Sequence, residues 1–482
     1  MRKISLAVGS ALLSVCAVWG VAGVSAQAAQ THRAAPTAHK RAAAVSTTVT
    51  INTAKSFGVV PPLAYGMNTA VWDSNLFSST VNQRMKQLGV KLLRWPGGST
   101  ADQYQWNSEL SEFVDFMTMA KQIGATPMLT VNYGTGTPQQ AAAWVKYVKD
   151  HHENALWEIG NEQYGDGEYQ GNNWEANYHQ NKGPAGYGKN ALQYIAAMRK
   201  VNPKAQIGVV ATIPTVWPSG IKPYWDRTLL PIVGKQINFV VIHWYPQNPG
   251  QESDSGLLET TASISSYMDQ LKAYIKETCG ANAKNIKIYL DETNSVSSNP
   301  GKQVMSVVNA LFLANDFNTW LENGVANVSW WDLHNNSVIN PNGNPDLYGT
   351  AKYGDYGILS AGDTDEPPLN TPTASYWGYR MVDLFAQPGD RYVSADSNQM
   401  MVDAYAAYKG PKESSIMLVN TDPNASYAVS IRGLSVAAGA SVTEYTYGEK
   451  TQNVIETHFK YGTGKVVVAP YTMVVLSVPT KA

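Results

Sequence analysis

The chain reads as an α/β protein in which a (β/α)8 TIM barrel carries an appended antiparallel β-sandwich domain. Two observations carry this expectation. Between residues 63 and 334, eight apolar strand-like runs alternate with amphipathic helical stretches, the pattern of a parallel sheet wrapped by helices. After residue 385 the pattern changes to short alternating strands divided by Gly, Asn and Pro, as in an antiparallel sandwich of normal domain size.

In chain order, Arg2 and Lys3 precede an apolar stretch that ends before Ala26-Gln27-Ala28, so residues 1–28 read as a secretory signal peptide. The expected location is secreted, extracellular. Residues 29–45, rich in Ala, Thr and basic side chains without periodicity, read as a disordered spacer. The segment 46–60 opens with alternating Thr and Val before Pro61-Pro62 and is expected to add a strand to the distant sandwich. The barrel is assigned to 61–385, with strands at 63–67, 91–95, 127–132, 156–162, 205–212, 237–245, 286–292 and 326–334. Helical spacing is clearest in the intervals around 114–121, 141–148, 194–198 and 304–312, and the last helix falls at 377–385. The sandwich, 386–482, has strands expected at 400–408, 415–419, 427–431, 442–447, 465–468 and 472–478.

Composition narrows the function. Removing 1–28 takes away Cys16 and leaves Cys279 alone, so no internal disulfide is expected and stability must come from packing. It also moves the formal charge from −1 to −3, 34 basic against 37 acidic residues, with no long run of one sign. No nucleic acid partner is expected, and no membrane contact after signal removal. Charged residues are 15% of the chain, against about 25% in an average soluble protein. Asn, Gln, Ser, Thr and Tyr fill the difference, giving a neutral, hydrogen-bonding surface suited to carbohydrate or adapted to an acidic exterior.

Two carboxylates close apolar runs, Glu162 on the fourth expected strand and Glu292 on the seventh. A single acid there serves equally well as a helix cap or a surface ion pair. Two acids facing one barrel mouth suit the breaking of a glycosidic bond, where one protonates the leaving oxygen and the other attacks or stabilises the anomeric carbon.

Arg94-Trp95-Pro96-Gly97-Gly98, continuing through Asp102 to Trp106, resembles the second-strand signature of glycoside hydrolase family 51 and its clan A relatives. Gly160-Asn161-Glu162 is similar to the clan's fourth-strand acid/base motif. The resemblance implies that Glu162 is the general acid/base, Glu292 the nucleophile, Asn161 a partner of the substrate 2-hydroxyl and Arg94 a cation beside the nucleophile. The Arg94 side chain is expected at the pocket mouth as the partner of Glu292. A guanidinium there keeps Glu292 ionised, while Glu162, with no obvious cation next to it, keeps its proton to higher pH. By the same resemblance a sixth-strand side chain donates to the nucleophile, Tyr245 first and His243 second, although His243 also reads as a hydrogen-bonded histidine of the barrel interior. Trp330 and Trp331 end the eighth strand, where one of them is expected to floor a sugar ring and either can equally be core. Gln163-Tyr164-Gly165 and Thr293-Asn294 depart from the family pattern at positions expected to touch substrate, which bears on the sugar taken.

Other patterns carry no chemistry. Gly183 to Lys189 has phosphate-loop spacing, but Asn190 stands where Ser or Thr is needed. His151-His152-Glu153 lacks zinc spacing, and the acidic loop 362–366 reads as exposed. No cofactor or metal is expected. The sequence therefore points to a secreted retaining glycosidase taking a polysaccharide or oligosaccharide, first an α-L-arabinofuranosidase on plant hemicellulose. The alternatives are an endo-acting β-glucanase or xylanase, and a carbohydrate-binding protein without catalysis.

Overall fold

The computed structural model describes residues 43–480 except 169–172, 217–223, 339–342, 412, 437–438 and 463–464. The signal peptide expected at 1–28 and most of the spacer lie outside the described residues. Strand β1 (Val45–Val59) comes first and belongs to the second domain. Eight parallel strands then close a barrel in chain order: β2 (Tyr65–Asn68), β3 (Leu92–Trp95), β4 (Thr126–Val131), β5 (Leu156–Ile159), β6 (Gln206–Val210), β7 (Phe239–Trp244), β8 (Lys287–Thr293) and β9 (Asn327–Trp330). Helices α1 (Ser79–Gln87), α2 (Leu110–Ile123), α3 (Pro138–Asp150), α4 (Gly183–Val201), α5 (Tyr224–Val233), α6 (Asp254–Glu259), α7 (Ile264–Thr278), α8 (Val307–Glu322) and α9 (Ala374–Phe385) surround it. None of the described helices is long and apolar enough to cross a membrane.

The period of two in each strand sorts side chains between two environments. In β3, Trp95 faces outward and stacks on Phe116 of α2 at 4.9 Å, while Arg94 points into the barrel. The same alternation in β5 sends Trp157 out against Trp144 of α3 and Glu158 in. Outward faces meet helices whose apolar residues recur at helical spacing, such as Phe113, Phe116, Met117 and Ala120 in α2. Each fully buried side chain of this size contributes about 1.5–3 kcal/mol.

The second domain is a nine-stranded sheet built from β1 and β10 (Arg391–Ser397), β11 (Val402–Tyr408), β12 (Glu413–Asn420), β13 (Tyr427–Arg432), β14 (Ser441–Gly448), β15 (Ile455–Lys460), β16 (Val466–Val468) and β17 (Thr472–Pro479). Its order is β15-β14-β17-β12-β11-β10-β1-β13-β16. β1 therefore lies inside the sheet, antiparallel to β10 and parallel to β13. That parallel pair departs from the expected all-antiparallel arrangement, because a strand arriving from the other end of the chain needs no hairpin. β10 and β15 were not expected from sequence; β15 is largely exposed and shows no apolar alternation.

One face of the sheet curls over its own core of Val49, Ile51, Ile416, Leu418, Val429 and Leu476. The other face, with Tyr405, Met417, Val419, Met473 and Val475, joins the apolar cluster that includes Phe317, Trp320 and Phe385 of α8 and α9. Barrel and sheet thus share one packed core. Cys279 is free and buried.

Candidate active site

The barrel strands deliver a polar layer at their carboxyl ends. Asn68, Arg94, Thr130 and Glu158, from four successive strands, all point inward and bond one another: Arg94 Nη1 donates to Asn68 Oδ1 (3.2 Å), Arg94 Nε to Glu158 Oε2 (2.9 Å), and Thr130 Oγ1 to the same Glu158 oxygen (2.6 Å). Arg94 also reaches Asp291 Oδ2 at 3.1 Å, Glu292 Oε1 at 2.6 Å and Asn161 Oδ1 at 2.7 Å. Its five donors in a rigid fork suit this many acceptors where a lysine ammonium does not.

Two consecutive acids meet the same guanidinium because β8 is irregular there. Ile242 pairs with Leu290 and His243 with Glu292, so Asp291 is an extra residue relative to β7. Such a bulge cancels the usual alternation and lets Asp291 and Glu292 face the barrel interior together. Glu162 lies beyond the end of β5, three residues after Ile159, and not on the strand as expected. Its backbone adopts φ 32°, a left-handed conformation uncommon outside glycine, and Gly160 before it has φ 71°. Asp102 holds this turn by accepting from Asn161 N (3.1 Å) and Gln163 Nε2 (2.6 Å).

His243, at the carboxyl end of β7, sits between the acids. Its Nδ1 is 2.8 Å from Glu162 Oε1 and 3.4 Å from Glu292 Oε2, and its Nε2 is 3.1 Å from Asp291 Oδ1. Tyr245 Oη donates to Glu292 Oε2 at 2.8 Å. Glu162 accepts two further bonds, from Tyr164 Oη (2.9 Å) and Trp174 Nε1 (2.7 Å).

The electrostatics differ from the sequence expectation. Burial works against charge on His243, but Glu292, Asp291 and Glu162 outweigh it and raise its pKa well above the ordinary value. Burial pushes Glu162 up, yet the hydrogen bonds and charge of His243, with Tyr164 and Trp174, bring it below the usual carboxylate value. Glu292 is raised, because burial outweighs His243 and Arg94, with Glu162 and Asp291 adding repulsion. Burial lifts Glu158 to about 7 against the pull of Arg94. Glu162 therefore does have a cation beside it, His243, contrary to the expectation that none stands there, and Arg94 is shared among three carboxylates. With four acids around two cations, the protons belong to the cluster as a whole.

Above these residues opens a cavity of about 730 Å³. Asn161, Glu162, His243, Tyr245, Glu292 and Trp331 line it. Arg94 and Trp330 do not. Arg94, expected at the pocket mouth, is fully buried beneath Glu292. Trp330 is equally buried and packs against Phe312 and Phe317, so it is a core residue; Trp331 is the tryptophan that faces the cavity. Trp331 lies over Gly98, where an added Cβ would come within 2.9 Å of the indole. Of the departures from the family pattern, Tyr164 reaches the cavity, whereas Gln163, Thr293 and Asn294 are buried and absent from its lining.

Sequence reasoning overlooked Glu158 and Asp291 beneath the cavity and Trp174, Trp72 and Tyr356 in its lining. Glu158 was visible in principle, since Trp157 facing out requires 158 to face in. The others sit on loops or on a bulge, where no periodicity announces direction.

No family model matches the sequence. The intracellular exo-α-(1→5)-L-arabinofuranosidase of Acetivibrio thermocellus is 23% identical over 269 residues, covering 46% of this chain and 50% of the relative. Alpha-L-arabinofuranosidase C of Emericella nidulans is 23% identical over 209 residues, 35% of this chain and 38% of that one. The chain thus spans about half the length, or less, of these curated relatives. Among solved structures, the α-L-arabinofuranosidase of Thermotoga maritima in its arabinose complex matches with a TM-score of 0.70 at 18% identity, over 90% of this chain and 100% of that one. A family 44 xyloglucanase of Paenibacillus polymyxa matches with a TM-score of 0.64 at 11% identity, over 91% and 100%. The expected resemblance holds at the level of architecture: the chain has the barrel-and-sheet fold of the family 51 α-L-arabinofuranosidases.

Proposed function

We propose that the protein is a secreted retaining glycoside hydrolase, an α-L-arabinofuranosidase acting on plant hemicellulose, with Glu162 as acid/base and Glu292 as nucleophile. One observation carries the reading. An oxygen of Glu162, an oxygen of Glu292 and a ring nitrogen of His243 all lie within 4.8 Å of one another, inside the cavity. Retaining pairs stand about 5–5.5 Å apart, whereas inverting pairs leave about 6.5–9.5 Å for a water.

Arg94 on Oε1 and Tyr245 on Oε2 hold the Glu292 carboxylate in one orientation. In the first step a Glu292 oxygen bonds to the anomeric carbon, the glycosidic C–O bond breaks, and the leaving oxygen takes a proton from Glu162. His243 supplies that proton across its 2.8 Å contact with Glu162. In the second step Glu162 takes a proton from water and returns it to His243, the water oxygen bonds to the anomeric carbon, and the bond from that carbon to Glu292 breaks, restoring the starting state. Asn161 uses its carbonyl on Arg94 and one N–H on Glu175, leaving the other N–H for a sugar hydroxyl.

The sugar is taken from the names of the relatives, and export from residues 1–28. A second reading, cleavage within a β-glucan or xylan backbone, draws on the breadth of the cavity and the likeness to the xyloglucanase. Nitrophenyl α-L-arabinofuranoside, set against xylan and β-glucan, separates the two. On whichever substrate is cleaved, proton NMR should show the first product with retained configuration. Azide should rescue Glu292→Ala with inversion, and Glu162→Ala should spare substrates with good leaving groups. An inverted first product from the wild-type protein would overturn the mechanism.

A further inference from the structure

Two neighbouring residues on the loop after β5 hold the two neighbouring residues of the acid/base turn. Trp174 N and Glu175 N both donate to Gly165 O, at 3.0 and 2.9 Å, which sets this pair beside the turn. Trp174 Nε1 then reaches Glu162 Oε2, and Glu175 Oε1 accepts from Asn161 Nδ2 at 2.8 Å. The approach needs Gly165, because a Cβ there would lie 2.5 Å from the Trp174 indole. Glu175 itself is 4% exposed and is not among the described residues that line the cavity, so it does not meet the sugar.

We infer that Glu175 is a positioning residue of the reaction: it holds the Asn161 amide so that the remaining N–H meets the 2-hydroxyl of the reacting sugar. The inference rests on the reading of Glu162 and Glu292 as the catalytic pair, and adds to it a residue that acts through Asn161.

Three observations support it. An amide has two orientations related by a half-turn, and its partners decide between them. Arg94 Nη2 donates to Asn161 Oδ1 at 2.7 Å on one side, and Glu175 accepts from Nδ2 on the other. A half-turn would set N–H against guanidinium and oxygen against oxygen, so this pair of partners admits one orientation. Second, Glu175 Oε1 also accepts from Ser99 Oγ at 2.6 Å, which occupies both lone pairs of that oxygen and stops the carboxyl from swinging. Third, the carboxyl accepts these bonds without bringing a charge. Asp102, nearby, accepts from the backbone of Tyr133, Gly134 and Asn161, and burial raises it to about 7 against those bonds. Burial raises Glu175 well above the ordinary carboxylate value, and the charges of Asp102 and Glu162 add to the rise. Glu175 therefore stands as a neutral acid around neutral pH, a group whose shape and hydrogen bonding glutamine reproduces.

Hydrogen bonds to the 2-hydroxyl strengthen in the transition state, so the role is read in kcat. The test divides kcat/KM for benzyl α-L-arabinofuranoside by that for its 2-deoxy analogue, on one preparation, which cancels any inactive fraction. Where the substrate cleaved is a xyloside or glucoside, its own 2-deoxy analogue serves. Glu175→Ala should lower the ratio about tenfold, chiefly through kcat, and Glu175→Gln should restore it. Adding Glu175→Ala to Asn161→Ala should lower it no further, since the one acts through the other. Glu175→Leu fills the space and takes the place of the alanine variant if that does not fold. An equal loss on both substrates means a merely structural role and overturns the inference, as does a glutamine variant that behaves like alanine. A wild-type protein that hydrolyses no glycoside sinks the reading of the two glutamates and this inference with it, whereas an active wild type whose ratio Glu175→Ala leaves unmoved sinks this inference alone.

Discussion

Replacing Arg94 removes the cation on which three buried carboxylates converge, and the structure sets the size of the effect. Nε lies 2.9 Å from Glu158 and 3.1 Å from Asp291, and Nη1 lies 2.6 Å from Glu292. At an effective dielectric of about 20, each contact represents roughly 6 kcal/mol of attraction, most of it offset by the desolvation of burying the charges. Taking one partner from a buried pair costs about 3–5 kcal/mol, because the remaining charge has nowhere to go. Arg94→Ala should therefore lose that much stability as well as activity, not activity alone as a residue at the pocket mouth would. The sign of the pH dependence follows. Arg94 pulls the raised pKa values of Glu158 and Glu292 back down, so without it both rise further, the folded variant holds more protons than the unfolded chain and it loses stability as pH rises. Urea unfolding should show a larger deficit near about pH 8 than near about pH 5. Arg94→Lys should fall between, keeping the charge and losing the fork. A deficit below about 1 kcal/mol, or one equal at both pH values, would refute the argument that Arg94 neutralises this cluster.

Two further predictions concern stability away from the cavity. Asp226, in the first turn of α5, accepts from Thr212 N and Thr212 Oγ1, and burial pushes it up to about 7. A carboxyl raised in the folded state holds its proton between its ordinary range and about 7, so stability falls as pH climbs through that window, by on the order of 4 kcal/mol. Asp226→Asn should flatten the fall of Tm between about pH 4 and pH 7, and parallel Tm curves for variant and wild type would exclude the assignment. Ile51, from β1, is 3% exposed in the core of the sheet, and Ile51→Ala should cost about 2–5 kcal/mol. Every tryptophan after residue 28 lies between Trp72 and Trp377, so the fluorescence reports the barrel. If barrel and sheet unfold together through their shared core, the fluorescence midpoint should move with the variant; an unmoved midpoint would mean that they unfold separately.

What was legible in the sequence is what periodicity encodes. The eight strands appeared as apolar runs because each is buried on both faces, and Glu162 and Glu292 stood out as acids at their ends. The Val and Thr alternation at 46–51 marked a strand without a local partner, and the sheet supplies β10 and β13. Direction and depth were not legible. Arg94 reads the same whether it sits at the mouth or beneath it; only the inward layer of Asn68, Thr130 and Glu158 places it below Glu292. Trp330 and Trp331 are neighbours of one residue type, yet the first ends a strand in the core and the second opens the loop that faces the cavity. The expectation about proton affinity failed for the same reason. It set Arg94 beside Glu292 and no cation beside Glu162, whereas His243 reaches Glu162 from 81 residues away. The bulge at Asp291 then joins the two halves of the cluster, since regular alternation would turn Asp291 away from His243 and Arg94. The protonation of the site is thus set by an extra residue in one strand, a feature that no count of carboxylates along the chain reveals.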